Sequence, residues 1–244
     1  MHWGRVSAAD GVDERWFEIH PEGRPVPGIL WTPPGASGSR PLVLIGHGAS
    51  GSKREGYVLL LARRLVRTRG FAAAAIDGPV HGDRRSDGGS VPGLPLLEFS
   101  QAWAGDPTMT DRMVADWTAT LNALRAVDGV GEGPVGWWGL SMGTILGLPL
   151  VAAEERISAA VLGLMGLTGP SRERIAADAP RVRCPVLFLT QWNDELFSRE
   201  SSAELFDLLG TSDKRLLASM GGHGQVPTDA FEMSEQFLAD RLGG

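Results

Sequence analysis

The chain is short of several things. Among its 244 residues it has one cysteine, Cys184. A single thiol forms no internal disulfide and cannot supply a multi-thiolate zinc site. Lysine is nearly missing: Lys53 and Lys214 stand against 21 arginines, a skew without functional meaning. No cluster of basic residues stands out and the formal net charge is −6, so a nucleic-acid surface is not expected. Long apolar runs are absent too. Residues 71–76 form one of the longest, far below the ~20 residues that cross a bilayer. Residues 1–10 lack the apolar stretch of a signal peptide. These absences predict a cytoplasmic protein with no membrane partner.

What is present suits a folded protein. Hydrophobic residues make up 43% and charged residues 21%, ordinary values for a globular chain and wrong for disorder. The length allows a sizeable core without staples. Apolar runs of strand length recur at 14–20, 26–32, 41–46, 71–76, 134–138, 157–164 and 185–190, with a weaker one at 216–219. Helical patterns lie at 57–69, 110–127, 141–154, 199–209 and 228–242. Such alternation predicts an α/β fold, a mostly parallel sheet with helices on both faces. Residues 78–107 form a long connection rich in Gly, Pro, Asp and Ser without clean periodicity; connections of that length are usually functional or mobile. Residues 166–183 have room for one small helix, so little lid is expected there. Residues 1–10 are read as a loose end.

The strongest local signal is Gly139-Leu140-Ser141-Met142-Gly143. It follows an apolar strand and opens a helical run, the context that gives G-x-S-x-G its meaning. The two glycines leave room for a sharp turn. The serine hydroxyl is then presented at a helix N-terminus, where free N–H groups favour developing negative charge. A serine needs a base to become a nucleophile. Of His2, His20, His47, His81 and His223, the last lies in a glycine-flanked loop (GGHG) after the last strand. His2 falls in the loose end and His20 at a strand end. An orienting acid is expected between Ser141 and His223, after a strand. The strand 185–190 runs into Asp194, with Glu195 as the fallback. The three groups sit on loops after parallel strands, which bring them to one sheet edge. Because they span so much of the chain, residues 1–244 are expected to form a single domain.

An anion pocket completes the set. One N–H is expected from Met142, next to the nucleophile, and one from the loop 45–51, where Ala49 is the choice and Ser50 the next. Trp192, Trp103 and Phe99 are candidates for an apolar wall of the substrate pocket. His47 is placed at the pocket as a loop-packing residue rather than a base. Arg84 and Arg85 are candidates for the pocket rim. Cys184 reads as an inert packed thiol. A rival reading takes Gly46-x-Gly48-x-x-Gly51, with Asp77, as a dinucleotide fingerprint. There the helix should begin inside the fingerprint, but residues 52–56 intervene before the apolar helical face. The stretch also misses the phosphate loop, having Ser52 where a lysine is required.

Taken together, LIGHGASG (44–51), AIDGPVHGD (75–83), GLSMG (139–143), PVLFLTQWNDELF (185–197) and GGHG (221–224) resemble the α/β-hydrolase superfamily from about residue 28 to 242. Within it the chain looks like the dienelactone-hydrolase-like and small carboxylesterase groups. Dienelactone hydrolase proper has a cysteine nucleophile, where this chain has Ser141. The resemblance implies an eight-stranded mostly parallel sheet, a triad of Ser141, Asp194 and His223, and a structural turn at His81 and Asp83. The expected function is hydrolysis of a small-molecule carboxylic ester through an acyl-enzyme, without metal or organic cofactor. Thioesterase, amidase, lactone or carbon–carbon bond hydrolysis could use the same parts. A non-catalytic ligand-binding relative is the alternative from another class, and a homodimer is kept as a partner option.

Overall fold

The computed structural model describes residues 1–89 and 91–243. One nine-stranded sheet runs through it, in the order β1-β2-β3-β5-β4-β6-β7-β8-β9. The strands are β1 (His2–Ala9), β2 (Val12–Ile19), β3 (Val26–Thr32), β4 (Leu42–Gly46), β5 (Ala72–Ile76), β6 (Val135–Gly139), β7 (Ile157–Gly163), β8 (Val186–Gln191) and β9 (Lys214–Ser219). From β5 to β9 in sheet order all pairings are parallel; β1, β2 and β3 add an antiparallel edge.

Among the described residues seven α-helices cover the faces: α1 (Gly56–Arg69), α2 (Leu94–Gly105), α3 (Met109–Arg125), α4 (Met142–Ala153), α5 (Arg172–Asp178), α6 (Arg199–Leu208) and α7 (Thr228–Leu242). Alternate side chains of a strand point to opposite faces, and β4 shows it. Val43 and Ile45 pack with α1 and α7, while Leu42 and Leu44 pack with α3 and α4. The central strands are apolar at nearly every position because helices bury both sides.

Two elements depart from the sequence expectation. The loose end is β1, which raises the strand number from eight to nine. Its residues are mostly exposed, so no apolar alternation marks it. Asp10 and Gly11 both have positive φ (53° and 74°) and join Ala9 to Val12 in a two-residue hairpin turn. That Asp-Gly pair is the signal that marks the strand. The second is α2, inside the connection 78–107. It buries only Pro95 and Phe99, too few apolar contacts to leave a helical period in the sequence.

Candidate active site

The turn after β6 carries Ser141 into α4 at φ 56° and ψ −118°, a conformation that L-residues seldom adopt. Local packing enforces it. A Cβ at Gly139 would lie 2.6 Å from the Gly143 carbonyl oxygen, and one at Gly143 would lie 2.7 Å from the Gly46 oxygen. The Ser141 N–H donates to the Gly163 carbonyl at 3.0 Å. The Thr144 hydroxyl sits 2.8 Å from the Gly139 carbonyl and accepts the Gly163 N–H at 2.8 Å. The turn is thereby bolted to the end of β7.

The loops after β8 and β9 meet the serine at the same sheet edge. His223 Nε2 is 2.9 Å from Ser141 Oγ, and its Nδ1 is 2.8 Å from Asp194 Oδ2. An ionised carboxylate only accepts, so Nδ1 holds the proton and Nε2 is left to accept the serine hydroxyl. The Asp194 side chain is 2% exposed. Its other oxygen takes the N–H groups of Leu196 and Phe197. Glu195 does a different job: its carboxylate accepts the His223 backbone N–H at 2.9 Å. That hydrogen bond holds the Glu195 carboxyl below its usual range. One acid therefore orients the imidazole and its neighbour fixes the main chain beneath it.

On the other side of Ser141, Ala49 and Ser50 line a cavity of about 500 Å³ that also touches His223. Met142 occupies the first turn of α4, where N–H groups have no intrahelical partner. Among the described residues no acceptor takes the N–H of Met142 or of Ala49. The Ala49 peptide unit is held from behind. Its Gly48 carbonyl accepts the Gly51 N–H at 3.1 Å and lies 2.8 Å from His47 Nδ1. His47 Nε2 accepts the Gly78 N–H at 2.8 Å, so the His47 proton is on Nδ1 and is donated to Gly48. Burial lowers the His47 pKa to about 4, with the neighbouring His81 adding to the effect, so this ring is neutral. His81 lies between the carbonyls of Pro79 and Ala49. Beneath the loop, buried Lys53 reaches Asp77 at 2.5 Å and Asp83 at 2.6 Å.

The cavity has an aromatic wall. Trp138 and Phe231 stack at 5.7 Å, and Tyr57 lies 5.9 Å from Trp138. Leu140, Leu164 and Val226 extend the apolar surface, Leu96 of α2 and Leu196 also line it, and Glu55 contributes one carboxylate. Burial pushes the Tyr57 phenol up to about 12, so it stays protonated.

None of the four residues expected to form the pocket lines this cavity. Trp192 turns outward, 45% exposed, with the Arg199 guanidinium 4.3 Å over its ring. Phe99 is on the buried side of α2 and stacks on Trp103 of the same helix at 6.1 Å. His47 faces a separate void of about 10 Å³ beneath the serine turn. Arg84 and Arg85 are engaged by Asp116 and Asp87. His2 and His20 meet edge to face at 5.7 Å, on the antiparallel edge. Cys184 is partly buried, and burial pushes its thiol up to about 12. Tyr57, Trp138 and Phe231 are not among the wall candidates named from the sequence. Trp138 is 1% exposed and lines the cavity all the same. Among the described residues no group of three His, Cys, Asp or Glu side chains is placed to hold a metal ion. No described helix is long and apolar enough to cross a membrane.

No family model and no curated protein matches the chain. Solved structures do. A cold-adapted esterase from an Arctic intertidal metagenomic library is 43% identical, with a TM-score of 0.88 over 99% of this chain and 100% of that one. The acetyl xylan esterase of Paenibacillus sp. R4 is 18% identical, with a TM-score of 0.76 over 99% and 88%. Acetyl xylan esterase 1 of Thermoanaerobacterium sp. JW/SL YS485 is 15% identical, with a TM-score of 0.73 over 97% and 87%. At those lower identities the likeness is one of fold. The first match covers both chains almost end to end at an identity that fold alone does not produce. This chain therefore belongs to the family of that esterase, serine hydrolases of the α/β-hydrolase superfamily.

Proposed function

We propose that the chain, acting as one domain over residues 1–244, hydrolyses a carboxylic ester of a small molecule through an acyl-enzyme on Ser141. Ser141 Oγ attacks the ester carbonyl carbon while its proton passes to His223 Nε2. Asp194 keeps the imidazole in the productive tautomer and stabilises its charged form. The carbonyl oxygen gains negative charge and is met by the N–H groups of Met142 and Ala49. The tetrahedral state collapses, the bond to the alkoxy oxygen breaks, and His223 returns the proton to that oxygen. Water then attacks the acyl carbon and gives a proton to Nε2. The second collapse releases the acid and restores the Ser141 hydroxyl.

The observation that carries this reading is the unbroken hydrogen-bonded run from Ser141 to Asp194, beside a cavity with an apolar wall. The 43% identity to an esterase supports the choice of an ester as substrate. The apolar wall favours an uncharged acyl or alcohol group.

A burst of p-nitrophenol from p-nitrophenyl esters, one per enzyme, is the expected signature of the acyl-enzyme. Ser141→Ala should abolish the burst and lower kcat by about 10⁴-fold or more. Asp194→Asn should lower kcat by about 10⁴-fold with little change in fold, as an Asn in this role does in trypsin-like enzymes. Full activity in Ser141→Ala would sink the assignment. A rate series from acetate to decanoate esters reads the depth of the cavity.

A further inference from the structure

Tyr57 is the single tyrosine of the chain. It stands in the first turn of α1, with its ring against Trp138 and Phe231 in the wall of the cavity that holds Ser141. Its hydroxyl oxygen accepts the Gly48 N–H at 2.6 Å. A phenol has one proton to donate, and among the described residues no acceptor takes it. The accepted N–H polarises the hydroxyl and makes it a stronger donor. Gly48 directly precedes Ala49, so this hydroxyl sits one residue along the chain from the N–H assigned to the carbonyl oxygen. A donor whose acceptor is missing from the protein, placed in the cavity beside that N–H, fits a partner supplied by the substrate.

We propose that Tyr57 is a further catalytic residue, its hydroxyl donating to the ester carbonyl oxygen as a third donor beside the N–H groups of Ala49 and Met142. The proposal rests on the ester-hydrolase reading above. The proton stays on Tyr57 throughout. The hydrogen bond strengthens as negative charge gathers on the oxygen and relaxes when the tetrahedral state collapses. Such a donor acts on the transition state more than on the bound ester, so its loss falls on kcat rather than KM.

Tyr57→Phe keeps the ring and removes the hydroxyl. The expected result on p-nitrophenyl acetate is a fall in kcat of about 10²-fold with KM little changed. Affinity for an alkylboronic acid, which forms a tetrahedral anion on Ser141, should fall by a similar factor. A variant that keeps kcat within about twofold, or loses kcat without losing boronate affinity, overturns the proposal. A hydroxyl that only pins Gly48 would lower the unfolding midpoint and leave the boronate affinity in place. Should Tyr57→Phe fail to fold, replacing tyrosine throughout by 3-fluorotyrosine labels Tyr57 alone and preserves the Gly48 hydrogen bond. Its single fluorine resonance should then shift when the boronic acid binds, and should not shift in the Ser141→Ala background. An unmoved resonance refutes the contact. If Ser141→Ala keeps its burst, the ester-hydrolase reading fails whatever Tyr57 does. If Ser141→Ala is dead and Tyr57→Phe is unaffected, only the role of Tyr57 fails.

Discussion

His47 shows how one buried side chain links chemistry to stability. Its neutral ring bridges the Gly78 N–H and the Gly48 carbonyl, which fixes the peptide that presents the Ala49 N–H. In the unfolded chain a histidine titrates near 6.5; here burial lowers it to about 4. The folded state therefore disfavours the proton. The stability this ring contributes is complete above pH 6.5 and is lost as pH falls through 4, a loss of about 3 kcal/mol in all. Chemical denaturation of wild type and His47→Gln should show a stability gap that narrows between pH 7 and pH 4. A gap independent of pH would contradict this. Cys184 gives a simpler test. With its thiol pushed up to about 12 by burial, it should resist iodoacetamide at pH 8 and react at once in denaturant. The meeting of Ser141, Asp194 and His223 at one sheet edge is legible in the sequence, because motif, chain order and loop position converge on each. The cavity wall was not: Tyr57, Trp138 and Phe231 come from α1, β6 and α7, and no spacing in the sequence relates them.

The turn from β6 into α4 is the element on which the site depends, and its glycines are steric requirements. A methyl group at Gly143 would lie 2.7 Å from the Gly46 oxygen, backbone that cannot swing aside. Gly143→Ala should cost about 1–3 kcal/mol in denaturant unfolding. It should also lower kcat, because the relief available is to separate the serine turn from the loop that carries Ala49. Unchanged kcat would show that the turn yields elsewhere. The same spacing of glycines around Ser141 was readable in the sequence, since the motif states a backbone need. The hairpin of β1 and the helix α2 were harder to read. Each buries little, so hydrophobic periodicity, the main signal for an element, is weak in both.

At the scale of the molecule, ion pairs under the sheet edge join loops that the strands only bring near one another. Lys53 is 1% exposed and spans from the segment after β4 to Asp77 after β5. On the outer face Glu235 of α7 holds Arg64 and Arg69 of α1. Removing one partner of a buried pair leaves the other charge uncompensated. Lys53→Met should therefore lower stability by about 3–5 kcal/mol, and adding Asp77→Asn should return part of it. Additive losses in the double variant would argue against the pair. The central parallel strands are legible in the sequence, because each fully apolar run suits a strand buried on both faces, while their order in the sheet is not. The ninth strand, β1, lies on the antiparallel edge and carries no apolar alternation to announce it.

The division of labour across this fold bears on how its selectivity can change. The proposed reacting groups, Ser141, Asp194 and His223, follow β6, β8 and β9, while Leu96 comes to the cavity from α2, a helix that commits just Pro95 and Phe99 to the interior. Drift at Leu96 or its exposed neighbour Leu97 is therefore nearly free of folding consequences. Under the proposed function, a lineage can sample new acyl or alcohol groups there while Ser141, Asp194 and His223 stay in place.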